Sequence, residues 1–400
     1  MMTTETESIQ AQAEKYLVQN YGPRNLALTR GQGAYVWDQE GRRYLDLLCG
    51  LGVNNLGHCH PKVVAAIQKQ AQTLLHVSNL YLIEPQVRLA KLLVEHSPAD
   101  RVFFCNSGTE AVEAAIKLAR RYSYDRHGPG RHTLITLQNS FHGRTLGSLS
   151  ATGQTKYQKG FEPMLERFVN VPINDLAALR AAVDGTVCAV LLEPVQGEGG
   201  IHPCRPEYLR GVRELCDQHN LLLMFDEIQC GLGRSGRLFA ADEFGVEPDV
   251  ITLAKSLAGG VPIGAMLAKE EPAKALVAGT HAATFGGNPL SCAAGVAAFQ
   301  TLLDEKLPER SQAVGGRFKE RLLQLQRKHA AIVEVRGLGL MIGVQLAFPA
   351  AEAQAFLRER GILAGVAGPD VLRFLPPLIV DENELLASAD ALDEFLTGRP

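Results

Sequence analysis

Between residues 60 and 260, short apolar runs alternate with amphipathic stretches, and few architectures satisfy that alternation. RVFFCN, HTLITLQ, CAVLLEP, LLLMFDE and DVITLA are brief and rich in β-branched or aromatic residues, the pattern of strands covered on both faces. Between and around them, HPKVVAAIQKQAQTLL, EPQVRLAKLLVEHS, SGTEAVEAAIKLARRYSYD and PEYLRGVRELCDQHN space their apolar residues as helices do. Such a chain folds as an α/β unit, a mostly parallel sheet with helices on both sides. Upstream, residues 10–21 read as a short amphipathic helix, and Ala34–Trp37 with Tyr44–Leu47 as a hairpin turning at Gln39–Gly41. Downstream, a long helix from Pro289 to Asp304 leads into an α+β tail holding VEVRGLGLMIGVQL, a helix near Ala350–Arg360, and VLRFLPPLIV. The expected division is a large domain over 56–288 and a smaller α+β domain built from both ends, 1–55 and 289–400.

Charge and cysteine usage narrow the function. Charged residues are 21% of the 400, the net charge is -3, and no long run has one sign, which argues against nucleic acid or a membrane surface as partner. No apolar stretch is long enough to span a bilayer. The polar, acidic start MMTTETESIQAQAEKY resembles neither a signal nor a transit peptide. Eight scattered cysteines without a CxxC pair fit reduced thiols, so the expected location is the cytoplasm.

In open parallel sheets, ligands bind beyond the carboxyl ends of the strands, so the residues that follow each strand carry the functional signal. After VITLA comes Lys255, followed closely by glycines. A charged amine there is costly unless it snorkels to the surface or is neutralised by covalent chemistry with a carbonyl compound. After RVFFCN comes Ser107-Gly108-Thr109-Glu110, opening a helix. Its free N–H groups suit a phosphate, and Ser107 or Thr109 equally suits an ordinary cap. After HTLITLQNS come Phe141, His142, Gly143 and Arg144. Taken alone these read as a core aromatic and a surface cation; with other signals they become a stacking platform and an anion clamp. After LLLMF come Asp226, Glu227, Ile228 and Gln229, whose acids need a cationic or donor partner. No histidine cluster accompanies them, so no metal site is expected, and His58-Cys59-His60 reads as capping and packing. Gly231-Leu232-Gly233-Arg234-Ser235-Gly236 matches a dinucleotide fingerprint, but two acids intervene where pyrophosphate would sit and RLFAADEFG opens a helix poorly.

A lysine, a strand-end aspartate, a phosphate-ready helix start and an aromatic platform together match the needs of pyridoxal 5'-phosphate. Its aldehyde takes the lysine, its pyridine nitrogen stays protonated beside a carboxylate, its phosphate sits on a helix N-terminus and its ring is stacked. The ordered blocks GAYVWDQEGRRYLDLLCGLGVNNLGHCHP, NSGTEAVEAAIKLARR, FHGRTLGSLSATG, EPVQGEGG, FDEIQCGLGRSG, ITLAKSLAGGVPIGA, TFGGNPL and VRGLGLMIG run through almost the whole chain. With them the sequence resembles the class III aminotransferases of fold type I.

The resemblance implies transfer of the distal amine of N-acetylornithine to 2-oxoglutarate, with ornithine, succinylornithine, 4-aminobutyrate or a lysine-pathway amine as the alternative donor, in a homodimer with shared active sites. It implies Lys255 as the cofactor-bearing lysine and proton carrier, with Asp226 beside the pyridine nitrogen. Phe141 and Ile228 would flank the ring, and Gln229 would lie near its oxygen. Ser107, Gly108 and Thr109 would hold the phosphate, with Thr284 reaching it from the second subunit. Arg144 would bind the substrate carboxylate, and Glu198 would mask Arg373 until glutamate needs it. Two positions depart from the family pattern. Val112 replaces a common asparagine, and Ala283, beside the substrate, replaces a serine or threonine.

Overall fold

The structure, a computed structural model, describes residues 5–22 and 24–399. At its centre lies a seven-stranded sheet: β1 (Arg101–Cys105), β2 (Thr133–Leu137), β3 (Phe168–Val171), β4 (Val187–Leu192), β5 (Leu222–Asp226), β6 (Val250–Leu253) and β7 (Gly264–Ala268). Their spatial order is β1-β7-β6-β5-β4-β2-β3. Only β7 runs against its neighbours; the other pairs are parallel. Strands β2, β4, β5, β6 and β7 are buried at every position, as expected for a sheet covered on both faces. The edges β1 and β3 expose part of their length. The sequence pattern did not reveal β3 and β7. FVNV has the weak alternation of an edge strand, and GAMLA has little intrinsic β preference and is held by pairing on both sides.

The helix over Gly108–His127 packs across the central strands. Ser107 caps it by accepting from the Glu110 N–H, while the Glu110 carboxylate accepts from the N–H of Asn106, the residue before the cap, at 2.8 Å, and together these bonds fix the first turn. The helix over Pro289–Asp304 has the bounds its sequence suggested. It packs against helices Pro61–Ala71 and Glu84–Glu95 and against the tight turn Lys255–Ala258, so the lysine turn rests on a rigid support.

Away from this sheet, the antiparallel strands Leu28–Gln32, Tyr35–Asp38 and Arg43–Asp46 gain a fourth, parallel member from Ile362–Leu363. A second antiparallel sheet joins Ile332–Leu338, Met341–Leu346, Val371–Phe374 and Gly365–Ala367. Two helices here, Leu307–Lys328 and Glu382–Thr397, were not anticipated individually. The N-terminal helix covers Glu5–Tyr16 rather than 10–21. It stops early because the Gln19 amide donates to the carbonyls of Ala13, Glu14 and Leu17, ending the ladder with a side chain.

The sequence GxGxxG over Gly231–Gly236 forms an irregular loop with a structural task. Arg234 within it is fully buried and donates to the Leu340 and Pro376 carbonyls and to Asn55 Oδ1, tying three distant segments together. His60 occupies the cap position of Pro61–Ala71 but its side chain makes no capping hydrogen bond, and His58 pairs with Asp46 at 2.8 Å, in line with the packing role alone. Among the described residues no group of acids, histidines and cysteines could hold a metal, all eight cysteines are free, and no helix is long and apolar enough to cross a membrane.

Candidate active site

The carboxyl ends of β1, β2, β4, β5 and β6 open onto one cavity of about 440 Å³. Its walls include Ser107, Gly108 and Thr109, then Phe141 and Arg144, Glu198, Asp226, Ile228, Gln229 and Lys255. Residues from five separate sequence blocks therefore meet in one place.

Lys255 begins the turn after β6 with φ of 41°, in the left-handed region that a residue with a Cβ adopts only when its surroundings force it. Its Nζ makes no hydrogen bond or ion pair with the described residues. Enclosure pulls the ammonium pKa below the ordinary lysine value, against the opposing pull of Glu198, with the Arg373 charge adding to the depression.

Asp226 ends β5 and is buried. One carboxylate oxygen, Oδ1, accepts from the Ile228 N–H at 3.1 Å and the Thr252 hydroxyl at 3.2 Å; the other, Oδ2, lies 2.7 Å from His142 Nδ1. Burial alone would lower the imidazole pKa, but this contact with Asp226 raises it, so Nδ1 carries a proton toward the carboxylate. His142 Nε2 is buried with no partner among the described residues. Glu227, the adjacent acid, turns away and accepts from the Ala240 and Ala241 N–H groups at the start of a short helix. Burial raises its pKa to about 8.

At the helix start, Thr109 Oγ1 lies 2.8 Å from Thr145 Oγ1 and 2.5 Å from Ser148 Oγ. Gly143 packs against this hydroxyl cluster with φ of 136°, where an added Cβ would fall 2.4 Å from Thr109 Oγ1. Gly108 is needed for a different reason, since a Cβ there would meet Ile228 Cδ1 at 2.8 Å. The Arg144 guanidinium lies 4.1 Å from the Tyr157 ring centroid, and that ring meets Phe141 edge-on at 5.9 Å. Arg144 is exposed, so the stacked tyrosine restricts a side chain that would otherwise sweep freely.

Glu198 projects from the hairpin of Val195–Gln196 and His202–Pro203. Its Oε1 lies 2.5 Å from Arg373 Nη1 and 3.2 Å from Gln229 Nε2. Burial pushes its pKa up, but the Arg373 cation outweighs this and holds it below the ordinary glutamate value. Arg373, 2% exposed, stands behind Glu198 rather than on the cavity wall.

Besides Arg373, the predicted site residues that the fold does not bring to the wall of this cavity are Ala283 and Thr284. They line a separate groove of about 720 Å³ with Ser78, Leu80 and Val87, held there by Asn79, whose amide donates to the Ala283 and Gly286 carbonyls. Sequence reasoning also missed members of the wall itself: Val53, Asn106, His142, Glu193 and the Gly260–Ile263 segment. His142 was visible as part of the FHGR block, and Glu193 as the acid ending a strand, but neither has a local partner to mark it.

A seven-stranded sheet of this order, with an unpartnered lysine and a carboxylate at adjacent strand ends, is the layout of a fold type I transferase. Comparison with known proteins agrees: the family model "Aminotransferase class-III" matches residues 16–396. Acetylornithine aminotransferase from Methanocaldococcus jannaschii is 52% identical over 388 residues, 96% of each chain. The succinylornithine transaminase/acetylornithine aminotransferase of Pseudomonas aeruginosa is 47% identical, over 94% of this chain and 93% of its own. An ornithine aminotransferase from Toxoplasma gondii, whose crystals show partial occupancy of pyridoxal phosphate at its active site, superposes with a TM-score of 0.95 at 36% identity, covering 98% of this chain and 94% of its own. The chain belongs to the class III aminotransferase family, whose members use pyridoxal phosphate.

Proposed function

We propose that this chain binds pyridoxal 5'-phosphate in the cavity around Lys255 and moves the distal amine of N-acetylornithine to 2-oxoglutarate, giving N-acetylglutamate semialdehyde and glutamate for arginine biosynthesis. The unpartnered, half-enclosed Nζ of Lys255 carries the cofactor reading, because a cation so placed needs a covalent or ionic partner from outside the chain. The donor set fits the group throughout: a helix N-terminus at Gly108, an aromatic face at Phe141, an apolar side chain at Ile228 and a buried carboxylate at Asp226. The similarity to relatives named for acetylornithine supports the substrate.

When bound, pyridoxal phosphate supplies an electron sink for the carbon that bears the substrate amine. Lys255 would hold the cofactor through its amine and, once released, carry a proton at Nζ, a task suited to an amine with a depressed pKa. Asp226 would keep the ring nitrogen protonated, oriented by His142 and Thr252. The N–H groups of Gly108 and Thr109 and the Ser107 hydroxyl would hold the phosphate, where the helix dipole favours negative charge. Phe141 and Ile228 would flank the ring, and Gln229 would lie near its oxygen. Arg144 would bind the α-carboxylate of the donor. Glu198 would mask Arg373 while an uncharged chain occupies the site and free it for the α-carboxylate of glutamate.

The assembly we propose is a cytoplasmic homodimer in which residues 56–288 form the large domain and the two ends a smaller one. Thr284 would complete the phosphate site of the other subunit. Exposed apolar residues around the Thr284 groove, Leu80, Tyr81, Leu82 and Phe285, support burial of this face against a second copy. Steady-state rates with N-acetylornithine, succinylornithine, ornithine and 4-aminobutyrate as donors test the substrate. The highest kcat/KM is expected for N-acetylornithine, and a higher value for any other donor overturns that assignment.

A further inference from the structure

Glu193 directly follows β4 with its side chain on the cavity wall, only 5% exposed, and makes no ion pair among the described residues. Its Oε2 accepts from the Phe141 N–H at 2.9 Å, and its Oε1 accepts from the Gly197 N–H at 3.1 Å. One carboxylate thus fastens the backbones of two loops, each carrying a side chain assigned to the reaction: Phe141 with His142 and Arg144 on one, Glu198 on the other. Both bonds ask for an acceptor at each oxygen, which a carboxylate provides in full, a carboxylic acid only weakly at its hydroxyl oxygen, and an amide at one atom alone.

We infer that Glu193 is a positioning residue whose negative charge locks the Phe141 and Glu198 loops against each other, so that the grip of the cavity on its cofactor follows the charge of Glu193. The inference rests on the cofactor reading above. The groups facing Glu193 are His142 from the loop after β2, Asp226 at the end of β5, Lys255 after β6, Cys204 beyond the Glu198 hairpin and Cys230 beyond β5. Burial dominates among them and raises the Glu193 pKa to about 7, with His142 pulling it down and Asp226 pushing it up. Near neutrality the lock is therefore switchable.

The sign separates this role from a merely structural one. A carboxyl whose folded pKa is raised contributes stability that is complete below its unfolded pKa and is lost as pH rises through about 7. The lock does the opposite and tightens as pH rises through the same value. The test uses the full chain and Glu193→Gln, with pyridoxal 5'-phosphate as probe between pH 6 and 8. Hydrogen exchange is followed in peptides covering 138–145 and 194–201, with β5 as internal control. In the parent, affinity and protection of both loops, corrected for intrinsic exchange, should increase with pH. In Glu193→Gln, affinity should fall by roughly tenfold at pH 8, the loss expected for one charged hydrogen bond, its pH dependence should flatten, and both loops should exchange faster while β5 is unchanged. Parent-like exchange and affinity in the variant overturn the inference. Should the variant lose protection in β5 as well, the parent series decides, and loop protection that is flat or falls with pH is refuting. A parent chain that fails to bind pyridoxal phosphate refutes the cofactor reading separately, since exchange still reports on the lock.

Discussion

Replacing Glu198 by alanine probes how one cavity serves two donors of different charge. Among the described residues, Arg373 Nη1 has Glu198 Oε1 at 2.5 Å and otherwise only Gln229 Oε1, at 3.5 Å. Its Nε is buried without a partner among the described residues. Truncating one member of a buried pair of this kind costs about 3–5 kcal/mol, mostly because the remaining charge is left desolvated. In Glu198→Ala the α-carboxylate of glutamate can approach this guanidinium and recover part of that cost. N-acetylornithine, uncharged near its distal amine, can recover none. Recovery of about 1.4 kcal/mol, under half of the cost, shifts the ratio of the two half-reactions tenfold toward glutamate. Removing Glu198 also deletes the carboxylate that holds the Lys255 pKa up, so that pKa should fall further in the variant. Single-turnover rates with each donor, followed across pH, give both quantities. A ratio within about twofold of the parent, under roughly half a kcal/mol, means that the pair is a static structural salt bridge and not a gate.

Lys255→Ala should lose the visible colour of protein-bound pyridoxal phosphate after dialysis, with turnover reduced at least about 1000-fold; retained colour would place the cofactor on another lysine. Asp226→Asn should still bind the cofactor but react roughly 10- to 100-fold more slowly, as one charged hydrogen bond is lost, and near-parental single-turnover rates would remove its assigned role. Glu227, whose pKa is raised to about 8, contributes stability that is complete below its unfolded pKa and is lost as pH rises through 8. Thermal melts of Glu227→Gln between pH 5 and 9 should therefore fall less steeply with pH than those of the parent, and parallel curves would contradict this. Sedimentation at assay concentration should give a dimer, and a fully active monomer would eliminate a shared site.

Fold and site were legible in the sequence to different depths, for a physical reason. A strand covered on both faces advertises itself by unbroken apolarity, so β2, β4, β5 and β6 could be read directly, and the residues after them became candidates by topology alone. The edge strand β3 and the glycine-led β7 lack that signature and exist because neighbours supply their hydrogen bonds. The same division applies inside the cavity. Ser107 announces itself through a capping partner three residues away, whereas His142 finds Asp226 at a separation of 84 residues and Glu193 finds Phe141 at 52. Such partners are created by sheet order, which no local pattern encodes.

The unfavourable features of the chain are distributed accordingly. Lys255 is held at a left-handed φ with no ionic partner among the described residues, and the wall around it includes the orphaned His142 Nε2 and the buried Glu193 carboxylate, which has hydrogen bonds but no cation among those residues. Each costs on the order of 1–3 kcal/mol. Elsewhere the central strands bury apolar side chains almost without interruption, and the supporting helix over Pro289–Asp304 is mostly apolar along its buried face, with the Ser291 and Thr301 hydroxyls bonded to backbone carbonyls. Costs of that kind persist only where the surroundings over-determine the geometry, and the ends of a rigid parallel sheet do this best. The strain at Lys255 is thus sustained by the same packing that makes the sheet readable, while on the proposed reading the partner that its amine lacks would be a cofactor from outside the chain.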